Sequence, residues 1–268
     1  MDTLIDIFDK AVQDLRGLKD DDFVMFVLRH AESLGQKEQD AYRTMGDGNI
    51  PITDLGVQQG RAAGTILSIL GERADLKNIQ LISSQGHRST RTTFEIFYMM
   101  VQQHKDLYVN FDHRLDKQKF GDFDGLFTSA ERAVACPDTF PAFQEAKERR
   151  GIFYARPPNG ESICDVQNRM IPFFEERKKH GGATIVVTHG TNALCLEDIP
   201  LHRGVQWIVD RLDTRPNCAI RMITGNERDG YSARTICTDP IALLAEIEKK
   251  NGFTPLSNGY SSAAPPSP

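Results

Sequence analysis

Two histidines and two arginines stand just after apolar segments of the sequence. Arg29 and His30 follow one such segment, and His189 ends a second. Arg88 lies a few residues beyond a third. An arginine presents a planar fork of donors that fits phosphate oxygens, and an imidazole can act as nucleophile, acid or base near neutral pH. Phosphoryl transfer needs both, because cationic donors hold the equatorial oxygens while a nucleophile attacks in line with the leaving oxygen. These residues therefore predict phosphoryl transfer, with His30 as the attacking group.

A structural role and a metal site are the alternatives for the two histidines. A single histidine after a strand more often makes structural hydrogen bonds. Three apolar segments that are each followed by a histidine or an arginine would seldom arise by coincidence. A zinc site on His30 and His189 lacks paired-cysteine or HExxH spacing, and Arg29 would repel the cation. We therefore predict no metal. No cofactor is implied either, unless the protein is a mutase primed by a bisphosphate.

The segments that carry these residues have the pattern of buried strands. Residues 23–28 form an uninterrupted apolar run, residues 184–188 form a similar one, and residues 79–84 (IQLISS) are predicted to form a third strand. Helical periodicity occupies about 57–70 and 88–104. Strands that alternate with helices predict a three-layer α/β/α fold with a mainly parallel sheet and helices on both faces. Ligands of such sheets bind at the carboxyl ends of the strands, where the histidines and arginines are expected to meet.

Other parts of the chain flank or interrupt this core. Residues 1–22 have apolar side chains at helical spacing, which predicts an amphipathic helical extension that lies on the domain or forms a homodimer. Residues 105–160 have Pro and Gly around short helices, which predicts an inserted loop and helix region over the active site. We place the domain itself at 23–253. Residues 254–268 are small, polar and proline-rich, and are expected to be disordered.

The composition argues against several other classes of protein. The chain has 268 residues and a formal net charge of -5, so it lacks the excess of basic residues that is typical of a nucleic-acid-binding protein. No apolar run approaches the ~18 residues of a membrane helix, and the acidic start is not that of a signal peptide. Five cysteines without a CxxC pair indicate neither a disulfide framework nor a zinc site. We expect a cytoplasmic protein that binds a small phosphorylated substrate, with no nucleic-acid or membrane partner.

A series of motifs resembles, in order along the chain, the histidine phosphatase superfamily in its phosphoglycerate mutase-like branch. The motifs are LRHAESLGQ, IPITDLGVQQG, SSQGHRSTRTT, FGDFDG, NGESICDVQNRM, VVTHG and NCAI, and the resemblance covers about 23–223. The resemblance implies that His30 is the residue that becomes phosphorylated. It also implies that Arg29, Arg88 and His189 bind the phosphate.

The same resemblance implies roles for residues around this pair of histidines. Gly190 completes the THG motif, and Gln36 stands where an asparagine usually approaches the phosphate, so both are predicted to bind it. Glu32 and Glu161 match letters of the family motifs. They are predicted to orient Arg29 or nearby loops.

A lysine occupies the position that usually supplies the proton donor. Related proteins with this loop place a glutamate three residues before its aromatic, and in LDKQKFGDFDG that residue is Lys117. Loss of a general acid can cost roughly 10²–10⁴-fold in rate. Asp116 is our first choice as substitute, with Asp122 and Asp124 as weaker candidates. Alternatively, Lys117 donates the proton or, with Lys119, binds a second anionic group, or the pocket binds anions without turnover.

The surroundings of the FGDFDG loop favour a phosphatase over a glycolytic mutase, whose longer surroundings they do not reproduce. Our first prediction is hydrolysis of a small phosphomonoester through a phosphohistidine on His30. A mutase-type phosphotransferase and a non-catalytic phosphate-binding protein are the alternatives. Among basic residues of the inserted region, Arg156 is predicted to touch the substrate because it lies closest to a motif.

Overall fold

A single mixed sheet forms the centre of the molecule. Across residues 3–19 and 22–251, which the computed structural model describes, six strands pair in the order β3-β2-β4-β1-β5-β6. The strands are β1 (Phe23–Arg29), β2 (Gln80–Ser83), β3 (Tyr108–Phe111), β4 (Ala183–Thr188), β5 (Ile220–Asn226) and β6 (Gly230–Cys237). The first four are parallel, whereas β5 runs antiparallel to β1 and β6 antiparallel to β5.

Helices of very different length surround the sheet. Those in the described part of the chain are α1 (Leu4–Arg16), α2 (Leu34–Lys37), α3 (Ala41–Met45), α4 (Asp54–Arg73), α5 (His87–Met100), α6 (Ser129–Ala135), α7 (Phe140–Arg150), α8 (Ile163–Lys178), α9 (Gly190–Leu201), α10 (Val205–Val209) and α11 (Pro240–Asn251). None of these described helices combines the length and the apolar character that crossing a bilayer requires.

Side chains of the central strands alternate between two apolar cores, one on each face of the sheet. On β1, Phe26 and Leu28 lie in the core that contains α1, α4, α5 and α11. Met25 and Val27 point the other way, into the core formed with α8, α9 and α10. Because β1 is covered on both faces, its sequence is apolar without interruption. The predicted three-layer α/β/α fold is confirmed.

The register of the parallel strands brings three strand ends to one edge. Arg29 pairs with Thr188 across β1 and β4, and Ser83 pairs with Val187 across β2 and β4. The residues that follow these strands therefore start from the same level of the sheet. The antiparallel β5 and β6 were not predicted, and they extend the sheet on the side of β1 away from β4.

The N-terminal helix α1 packs into the core of the domain. Thr3 caps its first turn, and Phe8, Val12 and Leu15 are buried in the same core as α11. The apolar side that the sequence offers for a homodimer thus packs within its own chain, and the homodimer stays a prediction. The predicted disordered tail, 254–268, lies outside the described residues.

The predicted insertion is only partly an insertion. Within 105–160, the first residues form β3 of the sheet, and the remainder forms α6, α7 and their loops around a small core with Phe123 and Phe143. Gly121 has a φ of 57°, and a Cβ there would lie 2.1 Å from the carbonyl oxygen of Pro158. Only glycine fits so close an approach. The loop before α6 is therefore held directly against the segment that precedes α8.

Candidate active site

His30 follows β1 and is held in one tautomer. Its side chain is buried, and Nδ1 lies 2.8 Å from the carbonyl oxygen of Ala31. Since a carbonyl can only accept, Nδ1 carries the proton and donates it. Nε2 is then unprotonated, and it accepts a hydrogen bond of 3.2 Å from Nε of Arg88. The free lone pair of His30 therefore lies on the nitrogen that faces an arginine.

The surroundings of His30 keep the imidazole neutral. Burial lowers its pKa well below the ordinary value of 6.5, and the positive charges of Arg88 and Arg29 lower it further. A neutral imidazole retains the lone pair that a nucleophile needs. The positive charges that suit an anion thus also keep His30, the predicted nucleophile, unprotonated.

His189 stands at the start of α9, with its ring centroid 5.3 Å from that of His30. Its Nε2 lies 3.0 Å from Oγ of Ser84 and 3.4 Å from Oγ of Ser89. Nδ1 is buried and has no hydrogen-bond partner within residues 3–19 and 22–251. Burial lowers the pKa of His189 well below 6.5, and His30 and Arg88 add to this effect. Nδ1 is thus the ring nitrogen of His189 that lacks a protein partner among the described residues.

Arg29 lies at the end of β1, beside the first turn of α9. Its Nη1 donates a hydrogen bond of 2.7 Å to the carbonyl oxygen of Arg215, whereas its buried Nε has no partner among the described residues. A Cβ at Gly190 would lie 3.9 Å from this Nε. Because Gly190 begins α9, N–H groups of the first helical turn lie beside the guanidinium. Both groups suit an anion.

Arg88 connects His30 to Asp47, an acidic residue that was not predicted to belong to the site. Besides its bond to His30, Arg88 donates from Nη1 to the carbonyl oxygen of Asp47 at 2.6 Å, and from Nη2 to the Asp47 carboxylate at 3.2 and 3.3 Å. Asp47 lies in a short 3₁₀ turn between α3 and α4. In the sequence it stands between two glycines, as an ordinary turn residue would, and nothing local indicates its role.

Lys117 reaches the same carboxylate from the other side. Its Nζ lies 2.6 Å from Oδ1 of Asp47, and 5.1 and 5.2 Å from the ring centroids of Tyr42 and Phe120. Burial raises the pKa of Asp47, but the charges of Lys117 and Arg88 outweigh it, and the net pKa is lowered. Asp47 is therefore an ionised carboxylate between two cations.

Asp116 faces the end of β2. Its Oδ1 accepts a hydrogen bond of 2.7 Å from the backbone N–H of Gln85, and its carbonyl oxygen accepts one of 2.8 Å from Nδ2 of Asn192. The side chain thus holds the turn after Ser84, next to His189. Its predicted role as general acid stays a prediction.

These groups are those of a known family. Residues 25–233 match the histidine phosphatase superfamily (branch 1). The chain belongs to this superfamily. The resemblance that the motifs predicted is confirmed, and so is the fold that it implies.

Named relatives of this histidine phosphatase chain include mutase-like and phosphatase proteins. It is 26% identical over 220 residues to a phosphoglycerate mutase-like protein of Arabidopsis thaliana, covering 74% of this chain and 73% of that protein. It is 30% identical over 156 residues to the fructose-2,6-bisphosphatase TIGAR of Bos taurus, covering 57% of this chain and 50% of that protein. The solved alpha-ribazole phosphatase of Shigella flexneri matches with a TM-score of 0.61 at 16% identity, covering 81% of this chain and 97% of that one. At this identity the structural likeness shows the fold alone.

Gln36 is tied to the histidine phosphatase site through a neighbouring amide. It exchanges two hydrogen bonds of 3.0 Å with Asn217, and Nδ2 of Asn217 also donates to the carbonyl oxygen of His30 at 2.7 Å. Oε1 of Gln36 further accepts from the backbone N–H of Ser33. The amide of Gln36 is thus engaged with protein atoms, and its contact with a phosphate stays a prediction. Asn217 was missed, although the NCAI segment was noted in the sequence.

Glu32 does not orient Arg29. Its Oε1 accepts a hydrogen bond of 2.7 Å from Oγ1 of Thr53 and lies 3.2 Å from Nζ of Lys37, while its backbone N–H donates to Gln59. Glu32 instead joins the loop after β1 to the start of α4. The prediction also allowed that Glu32 orients nearby loops, and this alternative describes the position of Glu32.

Glu161 supports the loop that carries Lys117. Its carboxylate accepts hydrogen bonds from Nε of Arg169 at 2.9 Å and from the backbone N–H of Lys119 at 3.0 Å. Arg169 in turn donates to the carbonyl oxygen of Asp116 at 2.5 Å. Arg156 pairs with Asp165 at the start of α8, and its predicted contact with the substrate stays a prediction.

The described part of the histidine phosphatase chain contains no cluster of three or more His, Cys, Asp or Glu side chains suited to a metal ion. Positive charge in the site comes from side chains that bracket the two histidines. They are Arg29, Arg88 and Lys117.

Burial of two neutral histidines predicts a loss of stability in weak acid. In the fold the pKa values of His30 and His189 lie well below 6.5, the value near which the unfolded chain protonates them. Below that pH the unfolded state binds more protons than the folded state, so the free energy of unfolding falls as the pH falls. Each histidine should contribute a slope of about 1.4 kcal/mol per pH unit until the pH reaches its folded pKa.

Urea unfolding midpoints measured from about pH 7.5 to 5.5 would test this expectation. A His189→Gln variant should lose part of the pH dependence of the wild type. His180→Gln should keep all of it, because the side chain of His180 is exposed. Equal pH dependence in the wild type and His189→Gln would contradict the expectation.

Proposed function

We propose that this protein is a cytoplasmic, metal-independent phosphatase that hydrolyses a small phosphomonoester through a phosphohistidine on His30. The observation that carries the proposal is the fixed tautomer of His30. Its Nδ1 donates to Ala31, and its unprotonated Nε2 faces the guanidinium of Arg88 at 3.2 Å. The nucleophile and a guanidinium that can donate hydrogen bonds to phosphate are thus positioned together before any substrate binds.

The reaction follows from the groups around His30. Nε2 of His30 attacks phosphorus, and the bond from phosphorus to the ester oxygen breaks as that oxygen takes a proton. Arg29, Arg88 and Nδ1 of His189 stabilise the charge on the remaining oxygens, as a metal ion does in other phosphoryl transfer sites. A water molecule then attacks the phosphohistidine, releases inorganic phosphate and restores the neutral imidazole.

Named relatives support hydrolysis as well as transfer. The bisphosphatase of Bos taurus and the alpha-ribazole phosphatase of Shigella flexneri are hydrolases by name, whereas the Arabidopsis thaliana relative is named for its likeness to a mutase. We favour hydrolysis of a small ester because the FGDFDG loop does not reproduce the longer surroundings expected of glycolytic mutases.

Phosphate release from an aryl phosphate and a panel of metabolite phosphomonoesters, in the presence of EDTA, tests the proposal. We expect release without added metal, and the ester with the highest kcat/KM would identify the substrate class. Conversion of one phosphoglycerate into another without release of phosphate would instead establish a mutase. Binding of inorganic phosphate with no turnover of any ester would establish a non-catalytic pocket, and either result overturns the proposal.

A further inference from the structure

We propose that Asp47 donates the proton to the leaving oxygen, in place of the glutamate that the loop usually supplies and that Lys117 replaces here. The proposal rests on the proposed phosphatase function and names the group that transfers the proton in its two steps. When the bond between phosphorus and the ester oxygen breaks, the proton of the Asp47 carboxyl moves to that oxygen. In the second step the Asp47 carboxylate takes a proton from the attacking water as the bond from phosphorus to His30 breaks.

The position of the Asp47 carboxylate is the first argument. A glutamate at position 117 would bring a carboxylate to the pocket from the loop before α6. In this chain Lys117 extends from that position, and its Nζ meets the carboxylate of Asp47 at 2.6 Å. A carboxylate therefore lies next to the tip of side chain 117, although it comes from the turn between α3 and α4.

The second argument is the short path from Asp47 to the attacking nitrogen. One guanidinium, that of Arg88, donates both to the Asp47 carboxylate at 3.2 Å and to Nε2 of His30 at 3.2 Å. A phosphate bound to Arg88 and attacked by His30 thus lies within reach of the carboxylate. The side chain of Asp47 is 28% exposed, so a substrate can contact it.

Substrate binding supplies the condition under which Asp47 can hold a proton. In the free protein, burial raises the pKa of Asp47, but Lys117 and Arg88 together outweigh burial, and the net pKa is lowered. A phosphate dianion that binds Arg88 and Lys117 competes for these cations and adds a negative charge beside the carboxylate. Both effects raise the pKa of Asp47, which favours its protonated form when the ester is in place.

The other acidic residues of the pocket are less well placed. Asp116 is engaged with the backbone N–H of Gln85 at 2.7 Å, and Asp122 accepts from Nδ2 of Asn159 at 3.1 Å. Asp124 is the nearest rival, because burial and then Asp47 raise its pKa, while Lys117 lowers it. Within the described residues, however, Asp124 forms no hydrogen bond or ion pair with Arg88, the group that contacts His30.

The dependence of rate on the leaving group tests the proposal. In the Asp47→Asn variant, kcat/KM should fall by about 10²–10⁴-fold for alkyl phosphates, whose leaving oxygens need a proton. For a dinitrophenyl phosphate, whose leaving group departs as an anion, the loss should be less than about tenfold. Good turnover of this ester would also show that the variant is folded. The control is Asp75→Asn, an exposed aspartate remote from the site, which should match the wild type on both esters.

A second variant provides a rescue. Lys117→Glu in the Asp47→Asn background returns a carboxylate to the usual position and should recover part of the lost alkyl phosphatase activity. Equal losses on all esters would show that Asp47 only positions Arg88, and a gain on all esters would show that it blocks the pocket. A selective loss in Asp116→Asn or Asp124→Asn, but not in Asp47→Asn, would assign the acid to that residue.

Failure of this proposal is distinguishable from failure of the phosphatase assignment. If the wild type hydrolyses no ester, both are overturned. If the wild type hydrolyses esters through His30 and Asp47→Asn keeps the leaving-group dependence of the wild type, only the role of Asp47 is overturned.

Discussion

Replacing His30 with alanine should reduce phosphatase turnover by at least ~10³-fold, because the variant lacks the attacking nitrogen and the covalent route closes. Phosphate bound covalently to the protein should also be absent from this variant. In the wild type, rapid acid-free denaturation during turnover should trap phosphate on the protein in an alkali-stable, acid-labile form. The residual positive pocket of Arg29 and Arg88 should still bind inorganic phosphate, so binding and chemistry separate in this variant.

The matched control for this prediction is His180→Ala, since His180 is exposed and precedes β4, whereas His189 follows the opposite end of that strand. It should keep the turnover and the trapped phosphate of the wild type. Wild-type turnover in His30→Ala, or phosphate trapped on another residue, would contradict the phosphohistidine mechanism.

The second large effect is expected at Glu197, and it concerns the stability of the fold, not the reaction. Its side chain is 1% exposed and forms ion pairs with three arginines, Arg203 at 2.6 Å, Arg215 and Arg221. Removing the negative charge leaves these guanidinium groups close together and partly buried with no carboxylate between them. Breaking a buried ion pair in this way typically costs about 3–5 kcal/mol. Glu197→Gln should lower the free energy of unfolding by a similar amount.

The loss of the Glu197 carboxylate should also affect the active site. The carbonyl oxygen of Arg215 accepts a hydrogen bond of 2.7 Å from Nη1 of Arg29, so a shift of the segment around Arg215 would displace a predicted phosphate ligand. We therefore expect KM to rise in Glu197→Gln even at temperatures where the variant is folded.

Urea unfolding of Glu197→Gln and of Glu145→Gln provides the comparison. Glu145 pairs with Arg149 on the surface and is 66% exposed, so its loss should cost less than about 1 kcal/mol. Equal unfolding midpoints for the two variants would show that the buried network contributes no more than a surface pair.

The parallel strands β1, β2 and β4 and the histidines that follow two of them could be predicted from the sequence because their signals are local. An apolar run such as 23–28 reflects burial on both faces of a sheet, and this requirement acts on each residue of the strand separately. His30 and His189 directly follow such runs. Once the strands are recognised as parallel, the meeting of their carboxyl ends follows from the geometry of the fold.

The partners of these residues could not be predicted in the same way. Asp47 and Lys117 are 70 positions apart, and Gln36 and Asn217 are 181 positions apart. Each pair depends on how one loop docks against another, which no local pattern records. For the same reason the sequence left open whether Glu32 orients Arg29 or nearby loops, and the structure places its carboxylate against Thr53.

The sequence by itself thus determined the α/β architecture, the phosphohistidine chemistry to be expected and the absence of a carboxylate at position 117. These follow from residue type and from spacing within short segments. Only the tertiary structure decided that α1 packs into the domain core, that Glu197 holds three arginines and that Asp47 brings a carboxylate to Lys117. The physical reason is that these contacts join segments far apart in the chain, whose meeting is set by the packing of the whole fold.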